Sequence, residues 1–356
     1  MEGRLKIAVG LSGGVDSSVA ALLLKEQGHD VVGITMRLWR EGRYKGGDRD
    51  ACFGAGEVED IATARAFAEK IGIPYRVFDC SEEYDQAIVK YFRETYLAGK
   101  TPNPCVRCNA IMKFGLLPDL ARRSGLDFDK FATGHYARTR QMADGRIALL
   151  RAHDESKDQS YFLYRLSQEQ LARHIFPLGE LTKREVREIA REHGLAAADR
   201  PDSQDFYSGD VAELIGAEKR PGEIVDLSGR VLAKHDGFWN FTIGQRKGLG
   251  IGGGGTPYYV IDINSCSNRV VVGRAEDAVK TSLDVTDMNW VSIPPTPEPL
   301  QVTVKVRSAG APKGPATLAN GHCVFPNGIA GIAPGQSAVF YSPDSSTLLC
   351  GGIIAK

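Results

Sequence analysis

The stretch Gly10-Leu11-Ser12-Gly13-Gly14-Val15-Asp16-Ser17-Ser18 constrains this chain more than any other. It follows a short apolar run, Ile7-Ala8-Val9, and precedes an apolar-periodic segment, Val19 to Leu24. That order predicts a buried parallel strand, a glycine turn and an amphipathic helix, the opening of a βαβ unit. Gly13 and Gly14 carry no Cβ, so backbone N–H groups can approach a ligand closely. Ser12, Ser17 and Ser18 add hydroxyl donors beside a helix N-terminus, whose dipole and free N–H groups attract a phosphate. Asp16 is the odd member. A carboxylate in a phosphate cradle makes sense when a cation, Mg²⁺ above all, sits between them. A Walker A loop would need Lys where Asp16 stands, and the G-x-G-x-x-G dinucleotide pattern is absent from this turn. A plain strand–helix turn explains the two glycines but not three serines around an aspartate.

The residues Ser12-Gly13-Gly14-Val15-Asp16-Ser17 resemble the SGGxDS signature of the ATP pyrophosphatases. The resemblance implies a loop that grips the pyrophosphate of ATP while the α-phosphate is attacked and AMP is transferred. It does not name the acceptor.

At 356 residues the chain is long enough for two or three domains. Lys plus Arg and Asp plus Glu number 44 each, so any nucleic-acid contact must come from local basic patches rather than an overall field. Nothing at Met1 to Lys6 resembles a signal peptide, and no apolar run is long enough to span a bilayer. Seven unevenly spread cysteines argue for a reducing cytoplasm and against a disulfide framework. A cytoplasmic protein with no membrane partner is therefore expected.

The first half alternates strands and helices. Asp30 to Met36 reads as the second strand, with Met36 near its carboxyl end, where an adenine ring would lie in an open α/β sheet. A plain core methionine is the competing reading. Glu57 to Ile71 is a helix, Tyr75 to Asp79 a third strand, and Glu82 to Leu97 a further helix. The loop from Trp39 to Gly56 is too long for an ordinary βα turn and carries Cys52, which makes it a candidate lid or ligand donor.

Next comes Pro102-Asn103-Pro104-Cys105-Val106-Arg107-Cys108-Asn109. Prolines fix the chain before Cys105, and C-x-x-C spacing lets two sulfurs converge as a metal or cluster pair, a redox pair, or a nucleophile with its resolving thiol. A tetrahedral zinc site would need a second ligand pair, and none follows. With Lys113-Phe114-Gly115, this segment is similar to the PNPxxxCNxxxKF segment of the bacterial tRNA-specific 2-thiouridylases. Further matches are Ala132 to Tyr136, Lys157 to Phe162, Phe176 to Gly179, Thr242 to Gly250 and Pro334 to Tyr341. The motifs span the chain from Gly10 to Tyr341.

This resemblance implies an ATP-dependent tRNA-uridine 2-sulfurtransferase acting on the wobble uridine of the anticodon stem-loop. It implies ATP contacts at Gly10, Leu11, Ser12, Gly13, Gly14, Val15, Asp16, Ser17, Met36 and Gly134. Asn103, Pro104 and Cys105 fall where the family meets the target base, and Cys108 falls at its catalytic cysteine. Lys157, Asp158 and Gln159, with Arg307 and Ser308, match tRNA-contacting positions. Their chemistry agrees in type: Lys157 and Arg307, with Arg246 and Lys247, can neutralise phosphates, whereas Asn103 and Gln159 offer paired donors and acceptors to a base edge. The uridine would have to leave the anticodon stack to reach such a loop.

One departure matters. The family's second catalytic cysteine lies in a DSxxxCF segment, which here reads Asp202-Ser203-Gln204-Asp205-Phe206-Tyr207, placing Tyr207 where that cysteine belongs. Tyrosine cannot carry sulfane sulfur. One hypothesis is that Cys52, Cys105 and Cys108 ligate a 4Fe–4S cluster whose open iron binds sulfide. The other is that Cys108 carries a persulfide and Cys105 resolves it. Cys80, Cys266, Cys323 and Cys350 read as structural. The sulfur source, a donor protein or sulfide, is not readable, and a monomer is expected.

After about Leu195 helical periodicity gives way to short strands: Gly222 to Asp226, Gly229 to Leu232 and Tyr258 to Ile263. The run Gly252-Gly253-Gly254-Gly255 is a hinge or hairpin tip. Alternating segments at Gln301 to Val306 and Gln336 to Tyr341, set among proline and glycine turns, suit a small antiparallel barrel. The expected architecture is thus α/β: a Rossmann-like parallel-sheet PP-loop adenylation domain (1–200), a small, mostly-β tRNA-binding domain (201–283) and a C-terminal antiparallel β-barrel (284–356). Two other functions fit parts of the pattern: another PP-loop adenylating ligase or amidotransferase, and a tRNA-binding module without catalysis.

Overall fold

The computed structural model describes residues 3–40, 42–44, 51–198, 206–207, 209–252 and 255–355. Asp202 to Asp205, part of the long loop after Trp39, and two residues of the four-glycine run lie outside them. The opening forms as β1 (Lys6–Gly10), a turn and α1 (Val15–Glu26). The chain continues through β2 (Asp30–Arg37), α2 (Glu57–Ile71) and β3 (Tyr75–Asp79). A helical stretch follows, comprising α3 (Ser81–Tyr84), a π-helical turn over Asp85–Val89 and α4 (Lys90–Leu97). The cysteine segment is also helical: α5 (Pro104–Cys108) runs through the π-helical Asn109–Leu116 into α6 (Leu117–Arg123). After β4 (Lys130–Ala132) come the hairpin of β5 (Arg138–Gln141) and β6 (Ile147–Leu150), then α7 (Gln168–Arg173), β7 (His174–Ile175) and α8 (Lys183–Glu192).

The first sheet has the order β3-β2-β1-β4-β7, with every pairing parallel. Covered on both faces, its central strand can be apolar without alternation, and Ile7, Ala8 and Val9 are wholly buried. β1 lies between β2 and β4, so the Gly10–Gly14 turn leaves the sheet where strand order reverses, the usual place for a ligand crevice. α1 buries Val15, Val19 and Leu22 in one cluster with Val186 and Ala190 of α8. Each large apolar side chain so buried contributes about 1.5–3 kcal/mol.

The second half is β-rich. After α9 (Val211–Ile215), β8 (Gly222–Asp226), β9 (Val231–His235), β10 (Tyr259–Asn264) and β11 (Arg269–Gly273) form a sheet in the order β10-β11-β8-β9. The last segment supplies β12 (Val279–Trp290), β13 (Leu300–Lys305), β14 (Lys313–Ala319), β15 (His322–Ala330), β16 (Ser337–Tyr341) and β17 (Thr347–Ile354). β12 pairs with both β15 and β17, which closes these antiparallel strands into the expected barrel. The β5–β6 hairpin extends that sheet, with Leu149 opposite Leu348, so the barrel is built onto the first domain. Sequence pattern did not anticipate that pairing, because the partner strand lies far down the chain.

Candidate functional site

The glycine–serine turn is anchored from below. The Leu11 N–H donates to the Ile34 carbonyl at 2.9 Å, and Thr35 Oγ1 donates to the Leu11 carbonyl at 2.6 Å. Gly13 has φ +77°, and a Cβ there would stand 2.5 Å from the Asp60 carbonyl oxygen, so only glycine fits. The serines are turned toward the loop itself. Ser17 Oγ and Ser18 Oγ donate to the Gly14 carbonyl at 3.1 and 3.0 Å, and the Ser12 N–H donates to Ser17 Oγ at 3.2 Å.

Gly134 follows the carboxyl end of β4 and packs on this turn: a Cβ would meet the Ser17 nitrogen at 2.6 Å and the Asp16 carbonyl carbon at 2.7 Å. Both contacts are with backbone, which cannot step aside as a flexible side chain would. Gly134→Ala should therefore deform the loop and raise the KM for ATP by roughly 10-fold or more, measured by ATP titration of the purified protein. An unchanged KM would contradict it.

Asp16 does not stand open. Lys183 Nζ, at the first position of α8, reaches its two carboxylate oxygens at 2.7 and 2.8 Å, and the Tyr136 hydroxyl donates to it at 2.8 Å. The Lys183 side chain is 10% exposed and that of Asp16 27%, so the pair is shielded yet open to the cleft. Sequence reasoning missed Lys183. A signal was present: a cation in the first turn of a helix opposes the helix dipole, and such a residue needs a reason to be there.

The cysteine helix owes its start to its sequence. Asn103 caps it, accepting from the Val106 N–H at 3.3 Å, and Pro104 takes the first helical position, where a missing N–H costs nothing. The Asn103 amide nitrogen lies 3.4 Å from the Tyr161 hydroxyl and 3.5 Å from the Gln336 side-chain oxygen. The barrel clamps this loop: the Thr101 N–H donates to the Pro334 carbonyl at 2.8 Å, and Gln336 Nε2 donates to the Pro102 carbonyl at 2.8 Å. A cavity of about 260 Å³, lined in part by Tyr91, Asn103, Arg107, Tyr164 and Arg165, opens between helix and barrel.

Cys108 is buried, Cys105 half-buried and Cys52 exposed. Burial pushes the Cys108 thiol up to about 11, against the pull of the Lys113 ammonium. Burial opposes the Lys113 charge, but the charges of Cys108, Cys52 and Cys105 raise its pKa. The same lysine, after burial itself, helps push His135 well below its usual range, so this histidine is neutral at pH 7. His135 directly follows Gly134, which rests on Asp16 and Ser17. The helix that bears Cys108 continues to Phe114, whose ring centre lies 5.5 Å from that of His135, so the thiol segment and the phosphate turn are neighbours. Cys108 should remain protonated at pH 7, and its labelling by methyl methanethiosulfonate should rise about tenfold per pH unit until near pH 11. Lys113→Met should shift that curve to higher pH; an unchanged curve would contradict the pairing.

A resident 4Fe–4S cluster requires its thiolates to converge on one point. Among the described residues no three His, Cys, Asp or Glu side chains are placed to hold a metal ion. Cys52, Cys105 and Cys108 share a neighbourhood, but the first is on the surface and the last is sealed within an aromatic cluster. As arranged, they do not fit a resident cluster. Tyr207 belongs to that same cluster, buried with its ring 6.2 Å from that of Phe53. Phe53 also takes the Phe206 carbonyl on its own N–H at 3.1 Å, tying the two segments together.

The remaining candidates divide. Met36 is half-buried on β2, paired with Phe78. Asp158 is turned inward, its side chain 1% exposed and ion-paired with Arg151 at 3.3 Å, so it does not present itself to RNA. Gln159 Oε1 accepts from the Tyr136 N–H at 2.9 Å, which links this turn to Asp16 through Tyr136. Lys157 is half-exposed, and Arg307, Ser308, Arg246 and Lys247 are exposed. Cys80, Cys323 and Cys350 are buried, each thiol pushed up to about 12 chiefly by burial, whereas Cys266 is on the surface. No helix among the described residues is long and apolar enough to cross a membrane.

Residues 5–207 match the family described as tRNA methyl transferase HUP domain. Residues 211–274 match the tRNA methyl transferase PRC-barrel domain, and residues 280–354 the aminomethyltransferase beta-barrel domain. The chain is 46% identical to the tRNA-specific 2-thiouridylase MnmA of Endomicrobium trichonymphae, over 99% of this chain and 100% of that protein. It is 44% identical to the protein of the same name from Methylobacterium radiotolerans, over 99% and 94% of the two chains. The Clostridium perfringens counterpart is 42% identical, over 99% and 98%.

Proposed function

Because this chain belongs to the tRNA-specific 2-thiouridylase family, we propose that it converts a tRNA uridine, the wobble uridine of the anticodon stem-loop, to 2-thiouridine at the expense of ATP. The matched family is described by methyl transfer, the relatives by thiolation. A phosphate-gripping turn beside three thiols suits the second, since adenylation makes a carbonyl carbon open to attack by sulfur. The observation that carries this reading is the meeting of the two motifs: the helix bearing Cys108 continues to Phe114, whose ring lies 5.5 Å from that of His135, next to Gly134 on Asp16 and Ser17.

The turn from Gly10 to Ser17 would hold ATP–Mg²⁺. Uridine O2 attacks the α-phosphorus; the O2–P bond forms, the bond to pyrophosphate breaks, and the N3 proton is shed. A persulfide on Cys108 then adds through its outer sulfur to C2, and AMP leaves. Cys105, three residues away, attacks the Cys108 sulfur and breaks the S–S bond. That step leaves thiocarbonyl on the tRNA, with N3 reprotonated, and a Cys105–Cys108 disulfide that an external thiol reduces. The Lys113 ammonium favours the thiolate of the unloaded Cys108, the form that accepts the outer sulfur from a persulfide donor. Tyr207 takes no part in sulfur transfer; its ring helps seal the cluster around Cys108.

Nucleoside mass spectrometry of tRNA incubated with the protein, ATP–Mg²⁺ and a persulfide donor tests the reading: ATP-dependent 2-thiouridine is expected. Pyrophosphate release without tRNA and no thionucleoside would favour another adenylating ligase. Anaerobic purification with iron and sulfide analysis tests the sulfur route. An iron-free, active enzyme supports the persulfide; iron in stoichiometric amount, with activity lost on chelation, would replace it by the cluster.

A further inference from the structure

The ion pair between Lys183 and Asp16 joins two helix N-termini at the mouth of the phosphate turn, and it has no obvious purpose as a plain stabilising contact. Lys183 stands at the first position of α8, where the helix dipole repels a cation. Its ammonium is almost wholly shielded, so its desolvation must be offset by Asp16 and by the Tyr136 ring, whose centre lies 5.8 Å away. Its backbone is fixed from two sides. The Thr182 side chain and Glu185 form a reciprocal cap, and the Lys183 N–H donates to an Asp154 carboxylate oxygen at 3.0 Å. The long side chain ends against a carboxylate in the first turn of α1.

We propose that Lys183 is a phosphate-binding residue for the adenylation step. This rests on the function proposed above. In the nucleotide-free protein Asp16 holds the ammonium. When ATP enters with its divalent cation, the cation takes over Asp16, and Lys183 turns its N–H donors to the β- and γ-phosphate oxygens. As O2 bonds to the α-phosphorus and the bond to pyrophosphate breaks, negative charge grows on the departing group, and the ammonium stabilises it there. No electron is transferred, and pyrophosphate leaves with the cation. The exchange also explains why a carboxylate belongs in a phosphate cradle: it keeps the lysine in place until the substrate arrives.

Lys183→Met keeps the apolar stem and removes the charge; Lys183→Arg keeps the charge. Binding of a non-hydrolysable ATP analogue and of AMP to the full-length protein with Mg²⁺ should separate contact from packing. Lys183→Met should weaken the ATP analogue by roughly 10- to 100-fold, leave AMP unchanged, and lower tRNA-dependent pyrophosphate release by roughly 100-fold. Lys183→Arg should recover much of the ATP affinity. Equal weakening of ATP and AMP, or no change in their ratio, overturns the proposal and marks the pair as structural. Should Lys183→Met fold poorly, Lys183→Gln decides by the same ratio, which must then change as predicted for the methionine variant. If the wild-type protein makes no 2-thiouridine while Lys183→Met still loses ATP but not AMP, the sulfur-transfer reading falls and the phosphate contact stands.

Discussion

Asp16→Ala is expected to lower tRNA-dependent pyrophosphate release by roughly 100- to 1000-fold while tRNA is still retained on a filter. The expectation follows from charge. In the proposed reaction this carboxylate organises cations: Lys183 in the nucleotide-free state, at 2.7 Å, and the metal that would accompany ATP. tRNA binding is separate in this scheme, because the exposed candidates Arg307 and Ser308 lie on the loop after β13 and not on the phosphate turn. Asp16→Asn keeps the shape and should lose nearly as much, since the amide cannot balance an ammonium or a divalent metal. Equal loss of tRNA retention and pyrophosphate release would show that Asp16 supports the fold of the site rather than the chemistry.

The second large effect belongs to Cys108. Cys108→Ser changes one atom in a buried, well-packed place, so the fold should survive, yet no sulfur can be carried. Formation of 2-thiouridine should fall by roughly 1000-fold or more, whereas pyrophosphate release should persist, because adenylation precedes the thiol. The split is the useful part. Loss of both activities would mean that the thiol is needed to build the nucleotide site, and undiminished thiolation would move the sulfur elsewhere. Cys105→Ser should still adenylate the uridine and join it to Cys108 through sulfur, but release no 2-thiouridine until an external thiol breaks that S–S bond.

Much of this site could be read along the chain. The turn from Gly10 to Ser18 and the Pro-flanked pair at Cys105 and Cys108 are local signals, because a turn, a cap and a close backbone approach are fixed by residues near in sequence. Asn103 even folds as its type suggests, as a cap. Asp158 is the opposite case. The family resemblance put it at an RNA-contacting position, but a buried Arg151 claims the carboxylate. The long loop after Trp39 gave Cys52 and no hint that Phe53 packs against Tyr84 and Phe206.

By itself the sequence determined the parallel strand–turn–helix opening, the phosphate-gripping turn, the cysteine-bearing helix and the β-rich second half. Each rests on periodicity or on backbone conformations that only certain residues adopt. Tertiary structure alone decided that Lys183 meets Asp16, that burial leaves the Lys113 charge acting on Cys108 and His135, and that the β5–β6 hairpin extends the barrel sheet. Those contacts join residues far apart along the chain. Their strength comes from shielding charges from water, which no local pattern encodes because it depends on which segments fold over one another.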